Sequence, residues 1–130
     1  AKNPNFNLLA KQTGDFTQSK GQEVMESFLK AYDDIDVLFC ENDNMAFGAI
    51  DAIKAAGKVP GKDIIIISFD AVKEAFNKMI AGEINCAVEC NPLHGPRVDE
   101  IIKKLEAGET VSKVQYVKPR SFKFTEYKNK

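Results

Sequence analysis

Apolar and polar positions along the chain follow two alternating patterns. Short apolar runs, which are typical of buried strands, precede segments in which apolar residues recur every three or four positions, as on one face of an amphipathic helix. The strand-like runs are 7–13, 36–40, 64–67, 84–90 and 114–124. A helix is predicted after each of the first four runs, and glycines at positions 57, 82 and 108 are placed to end the last three helices.

This alternation determines the predicted fold class. Strands that alternate with helices pair in parallel, because each right-handed crossover returns the chain to the same end of the sheet. The sequence therefore predicts an α/β fold with an open, mainly parallel sheet and helices on both faces. A length of 130 residues and a hydrophobic content of 44% suit a single globular domain, and no low-complexity linker divides the chain.

Charge and hydropathy exclude two classes of partner. A formal net charge of -1 provides no basic field to hold a nucleic acid backbone, so we expect no nucleic acid partner. No apolar run approaches the ~20 residues of a membrane-spanning helix, and the first residues carry no export signal. We expect a soluble chain that is either cytosolic or already processed.

The three cysteines and the single histidine give no sign of a disulfide framework or a metal site. Cys86 and Cys90 lie four residues apart on a predicted strand, ~13 Å from each other, which is too far for a disulfide. His94 continues the same spacing, but Pro92 separates it from the strand. The sequence also contains no Gly-rich phosphate or dinucleotide loop. We expect neither a metal nor any other cofactor.

Polar side chains stand where two consecutive apolar runs stop. Asn42 and Asp43 follow the second run, and Asp70 follows the third. The carboxyl ends of parallel strands form the crevice in which open α/β sheets bind ligands. An amide that donates and accepts, beside carboxylates that accept, suits vicinal hydroxyl groups, which do both. The pattern predicts recognition of a small hydroxylated molecule and not bond-breaking chemistry.

Helix capping is the alternative role for these side chains. Asp43 or Asn44 would cap a helix that begins near Met45, and Asp70 would cap the helix that begins near Ala71. We expect capping for Asp43. For the other two residues at the strand ends the pattern favours neither capping nor ligand binding.

Two aromatic residues are candidates to complete a carbohydrate site. Phe16 follows the first apolar run, and Phe69 directly precedes Asp70. Flat aromatic rings pack against the C–H faces of a sugar ring. Burial in the core accounts for either ring equally well, so both roles stay open.

Six stretches, taken in order, resemble the periplasmic sugar-binding proteins of ABC transporters, in particular the ribose- and galactofuranose-binding group. The matching stretches are 14–17, 19–25, 42–50, 56–57, 68–70 and 88–92, within a similarity that extends over about 6–124. The resemblance implies that Asn42 and Asp70 contact sugar hydroxyls. It also implies that the rings of Phe16 and Phe69 flank the sugar.

The same resemblance adds the end of the fourth predicted strand to the site. Cys90 stands where ribose-type members carry a glutamine that hydrogen-bonds the ligand, and a thiol cannot supply that pair of donor and acceptor. Glu89 or Asn91 is expected to compensate, since galactofuranose-like members carry a glutamate at the position of Glu89. We therefore include Glu89 and Cys90 among the ligand-binding candidates and expect a sugar other than ribose.

The resemblance implies a function in transport without catalysis. The protein would be the solute-binding component of a carbohydrate ABC transporter, binding a monosaccharide, either a pentose or a hexose, for import and docking on a membrane permease. It would work in the periplasm, or anchored to the membrane outside the cytoplasm. The alternative is the effector-binding domain of a lactose-repressor-type regulator, which requires a helix-turn-helix that these residues do not contain. A sugar-processing enzyme ranks third, with Asp43, Asp70 and Glu89 as its only candidate acids and bases.

Members of this family are longer and close two lobes around the sugar, so we expect residues 1–130 to be a single C-terminal sugar-binding lobe. The lobe would be flavodoxin-like, as in type I periplasmic binding proteins, and truncated. Residues 92–120 resemble segments that cross to the other lobe, with a strand at 114–116 and a return at 122–124. The family's central strand of this sheet has no counterpart here. Either 7–13 pairs directly with a neighbouring strand, or two chains exchange segments to form a homodimer.

Overall fold

The computed structural model describes residues 5–116 and 121–123. Four helices and four strands alternate along these residues. The helices are α1 (Gln18–Ala31), α2 (Asp43–Ala55), α3 (Lys73–Ile80) and α4 (Gly95–Glu106). The strands are β1 (Val37–Phe39), β2 (Ile65–Asp70), β3 (Cys86–Glu89) and β4 (Ser121–Lys123).

The four strands form one sheet in the order β1-β2-β3-β4. β1 and β2 pair in parallel with Leu38 opposite Ile66, and β2 and β3 pair in parallel with Asp70 opposite Glu89. β4 runs antiparallel to β3 at the edge. The predicted α/β class with a mainly parallel sheet is confirmed. The predicted segment 114–124 contains β4, whereas 114–116 is not a strand, and 117–120 and 124 lie outside the described residues.

The helices do not cover the two faces of the sheet equally. Strand order follows chain order, so right-handed crossovers place α2 and α3 on the same face, and α1 packs along α2. On that face Ile66 and Ser68 are fully buried, whereas Ile65 is 44% exposed and Phe39 is 58% exposed on the other face. α4 contributes no buried residue. The expectation of helices on both faces therefore needs correction, because the described helices bury only one face.

The core lies between this face and the helices. It is built from large aliphatic and thioether side chains that are almost completely buried: Met25, Ile50, Ile53, Ile64, Ile66, Met79 and Ile84. Each such side chain contributes about 1.5–3 kcal/mol through burial. This packing fixes the starts of α2 and α3 relative to the strand ends that precede them.

The segment 7–13 is not a strand, so the predicted first strand and its direct pairing with a neighbouring strand are wrong. It lies instead across a cleft of about 960 Å³ from β1, and both segments line that cleft. The hydroxyl of Tyr32 donates to the carbonyl of Leu9 at 3.0 Å. An apolar run becomes a strand only with a partner about 4.8 Å away, and the cleft occupies that position.

None of the described helices has the length and apolar character needed to cross a membrane.

Candidate functional site

The site candidates gather at the carboxyl ends of the parallel strands. Residues 40–43 follow β1, 70–72 close β2 and 89–91 close β3, while the loop 14–17 precedes α1. β2 is longer than the apolar run predicted, because Phe69 and Asp70 still pair with Val88 and Glu89. Asp70 is therefore the last residue of its strand.

Asn42 is the N-cap of α2. Its Oδ1 accepts from the backbone N–H of Met45 at 2.9 Å, and its Nδ2 donates to the carbonyl of Phe16 at 3.0 Å. The prediction that Asp43 or Asn44 caps this helix is wrong by one or two positions. One N–H of the amide and further acceptor capacity on Oδ1 remain for a ligand.

The loop held by Asn42 has an uncommon backbone. Asp15 and Phe16 both have positive φ, 47° and 51°, although neither is glycine. The loop ends at Thr17, whose hydroxyl caps α1 by accepting from the N–H of Lys20. The ring of Phe16 is 75% exposed. The reading of Phe16 as a core residue is therefore excluded, and its ring is available at the rim of the site.

Asp43 is completely buried at the first position of α2. Its Oδ2 accepts from the backbone N–H of Val72 at 2.8 Å, which links the start of α2 to the turn after β2. Burial raises the pKa of the Asp43 carboxyl, and the Asp70 charge acts in the same direction. The Ser68 hydroxyl and the Val72 amide oppose this rise. The carboxyl is thus an internal anchor with no surface facing a ligand.

Asp70 does not cap α3, whose N-cap is Val72 and has no side-chain cap bond. Asp70 and Ala71 have positive φ values of 107° and 60°. Such conformations cost of order 1–3 kcal/mol each in residues other than glycine, and they persist where the surroundings hold them. The capping alternative for Asp70 is excluded, and its half-buried carboxylate is left at the strand end.

Phe69 lies on the less covered face and pairs with an aromatic residue that the sequence reasoning missed. The rings of Phe39 and Phe69 have centroids 5.1 Å apart and planes inclined by 61°. A signal was present, because Phe39 lies near the end of its apolar run, three residues before Asn42. The ring pair covers the less buried face of the sheet near the end of β2.

The end of β3 joins Asp70 directly. Glu89 is the cross-strand partner of Asp70, and the N–H of Cys90 donates to the Asp70 carbonyl at 3.2 Å. Cys90 has an exposed free thiol, whereas Cys40 is buried, which raises the pKa of its thiol to about 12. Within 5–116 and 121–123, no three His, Cys, Asp or Glu side chains are grouped to hold a metal ion.

The structure thus joins the six predicted site residues in two groups. Phe16 and Asn42 are linked by a hydrogen bond, and Asp70, Glu89 and Cys90 share the ends of two paired strands, with Phe69 one residue before. Asp43, which sequence reasoning assigned to capping, bridges the two groups. The edge combines exposed aromatic surface with carboxylate and amide oxygens. It is suited to binding hydroxyl groups.

Comparison with known proteins identifies similar chains. Residues 1–107 match the family described as "Periplasmic binding protein domain". The galactofuranose-binding protein YtfQ of Escherichia coli is 44% identical over 119 residues, which are 88% of this chain and 37% of YtfQ. The ribose import binding protein RbsB of Bacillus subtilis is 36% identical over 107 residues, 82% of this chain and 34% of RbsB.

Two solved structures share the fold closely. A Mycobacterium smegmatis protein in complex with β-D-fucofuranose is 46% identical with a TM-score of 0.86, covering 98% of this chain and 42% of that one. The binding protein of the arabinose ABC transporter from Shewanella sp. ANA-3, bound to α- and β-L-arabinofuranose, is 41% identical with a TM-score of 0.85, covering 97% and 44%. The chain spans less than half the length of these relatives.

Proposed function

Since the chain belongs to the periplasmic binding protein domain family, we propose that it supplies one wall of a monosaccharide site in the solute-binding component of a carbohydrate ABC importer. The observation that carries the proposal is the strand-end edge, where Asp70 directly follows Phe69, whose ring packs on Phe39, and pairs across the strands with Glu89. Carboxylates accept strong hydrogen bonds from sugar hydroxyls, and rings cover the C–H faces. The edge offers both within three neighbouring strands.

Each candidate has a distinct proposed role. Asp70 accepts from a pair of hydroxyls, and Asn42 contributes its remaining N–H donor. Phe16 and Phe69 flank the sugar ring, the first from the α1 side and the second from the sheet. Glu89 accepts a further hydroxyl, in place of the contact that the thiol of Cys90 cannot make.

A furanose is the proposed ligand class. The relatives with the highest identity above are described as binding galactofuranose, β-D-fucofuranose and L-arabinofuranose, whereas RbsB, at lower identity, binds ribose. Cys90 supports the same choice, since the glutamine of ribose-type members is replaced. The named relatives are binding proteins, so the proposed role is capture and release without bond cleavage. No observation favours the repressor alternative.

The proposed architecture and location of the whole protein are those of the family. Residues 1–130 would form one sugar-binding lobe, and 92–120 would continue toward a second lobe. The apolar side chains of Val98, Ile102 and Leu105 are exposed on α4, which supports packing of this helix on another part of the whole protein. The whole protein would act in the periplasm or be anchored outside the cytoplasm, and it would deliver the sugar to a membrane permease.

A sugar titration followed by ¹⁵N NMR tests the proposed function. We expect L-arabinose to shift the amides of Asn42, Asp70 and Glu89 with a millimolar Kd, about -4 kcal/mol, because one wall supplies only part of the contacts. D-arabinose is the control for bulk sugar effects. Asp70→Asn, which removes the charge and tolerates positive φ, is expected to abolish the shifts. Micromolar affinity would contradict the one-wall arrangement, and shifts away from the strand ends would contradict the site.

We also propose that two chains form a homodimer by exchanging a segment into the cleft between 7–13 and β1. The N–H of Cys40 donates to the carbonyl of Ile67, and the N–H of Ile65 donates to the carbonyl of Asp36. The backbone groups of every second residue along 36–40 therefore point toward β2. The backbone groups of Val37 and Phe39 therefore face the cleft. Light scattering is expected to give a dimer, and Val37→Pro, which removes one cleft-facing N–H, a monomer. Val37→Thr is the matched control. A strictly monomeric wild-type chain would reject the exchange.

A further inference from the structure

The turn that follows β2 contains neither a glycine nor a side-chain helix cap. Asp70 and Ala71 both have positive φ, yet neither is glycine, and α3 begins at Val72 without a side-chain cap. The backbone must bend here so that the Asp70 carboxylate stays at the strand end and does not enter the first turn of α3. A residue elsewhere in the chain has to stabilise this bend.

Asp43 is in the position to do so. Its side chain is completely buried, and Oδ2 accepts the N–H of Val72 at 2.8 Å across a separation of 29 residues. The Ser68 hydroxyl, also fully buried, approaches the same carboxyl from β2. The anchor itself is held rigidly, because Asp43 starts α2, whose buried face packs on β2. Its geometry is thus set by the core and not by the surface.

We infer that Asp43 is a positioning residue for saccharide binding, which holds the 70–72 turn and thereby directs the carboxylate of Asp70 toward the ligand. That Asp43 holds the turn does not depend on the proposed function. That the turn directs Asp70 toward a saccharide rests on the proposed function. Asn42, the adjacent residue, holds the carbonyl of Phe16 in the same way. Two consecutive side chains at the start of α2 therefore hold the backbone of the loop that carries Phe16 and of the turn that follows Asp70.

Amide hydrogen exchange of the 130-residue chain tests the anchor without sugar. In Asp43→Ala the Val72 amide is expected to exchange about tenfold faster or more, because its acceptor is removed. Asp43→Asn, which keeps an acceptor oxygen, is expected to restore the wild-type rate. The Ile66 amide, which donates to Asn85 Oδ1 at 2.7 Å, reports global opening. The exposed Asn44, changed to alanine, is the matched control for the helix start.

An unchanged Val72 rate in Asp43→Ala, or an equal increase at Ile66, would overturn the inference. If Asp43→Ala does not fold, Asp43→Ala combined with Ala71→Gly is measured, since glycine adopts the φ of 60° at position 71 without strain. We expect the double variant to fold, and its failure to fold would also overturn the inference.

A titration of the same variants with sugar distinguishes a failure of this inference from a failure of the proposed function. L-arabinose is added to wild type, Asp43→Ala and Asp43→Asn, and the Asp70 amide shift is followed. We expect the shift to be lost in the alanine variant and kept in the asparagine variant. A wild-type chain with no shift would reject the proposed function, while the Val72 exchange rates still decide whether Asp43 holds the turn.

Discussion

Replacement of Gly48 by alanine is expected to destabilise the chain by about 3 kcal/mol or more. A Cβ at this position would lie 1.9 Å from the carbonyl oxygen of Gln18 and 2.7 Å from the backbone nitrogen of Gln22. Both atoms belong to the backbone of α1, so no side-chain rotation relieves the overlap. The two helices would have to separate. Alanine's intrinsic helix preference of about 1 kcal/mol over glycine is too small to compensate.

Urea denaturation of wild type and Gly48→Ala measures this loss. Gly95→Ala is the control. Gly95 is also a helical residue, the first of α4, but a Cβ at this position would meet no atom within 4 Å. We expect the control to match wild type within about 0.5 kcal/mol. A Gly48→Ala variant as stable as wild type would show that α1 and α2 do not approach as closely as described.

Replacement of Asn42 by alanine is expected to cost about 2 kcal/mol. Loss of an N-cap costs about 1 kcal/mol, and the loss of the bond to the carbonyl of Phe16 adds a similar amount. The variant should also release the 14–17 loop from the start of α2. Thermal and urea unfolding give the stability, and the amide shift of Phe16 reports the loop.

Asn42→Asp separates the two contributions. It keeps an acceptor for the N–H of Met45, and a carboxylate at a helix N-terminus is favourable, but it cannot donate to Phe16. We expect a stability between those of wild type and Asn42→Ala, together with a displaced Phe16 amide signal. Equal stability and an unchanged signal in Asn42→Asp would show that the bond to Phe16 contributes nothing.

Much of the fold could be predicted from local patterns, and the family resemblance inferred from six short stretches is confirmed. The runs 36–40, 64–67 and 84–90 each contain or overlap a strand, because apolar residues on one face of these strands pack against helices of this same chain. The run 7–13 has the same local character and is not a strand. Periodicity reports what a segment can bury, but it does not report whether a neighbouring strand is present to pair with it.

The sequence predicted that the site lies at the strand ends, but not the contacts that each side chain makes there. Residues 41–44 are all polar, and three of them are of types that cap helices, so the sequence could not assign the cap to Asn42. The positive φ of Asp70 and Ala71 was not foreseeable either, because neither is glycine and the bond that supports the turn comes from Asp43, 29 residues before Val72. Long-range hydrogen bonds of this kind leave no periodic signal.

The order of strands in the sheet also bears on how the chain is made. Because β1, β2 and β3 are neighbours in the same sequence in which the ribosome releases them, each new strand docks beside one that has already emerged. No late strand has to insert between two earlier ones among the described residues. Assembly of β1, β2 and β3 during translation thus requires only pairing between strands that follow one another in the chain, which keeps the sequence separation of their contacts low for a parallel sheet.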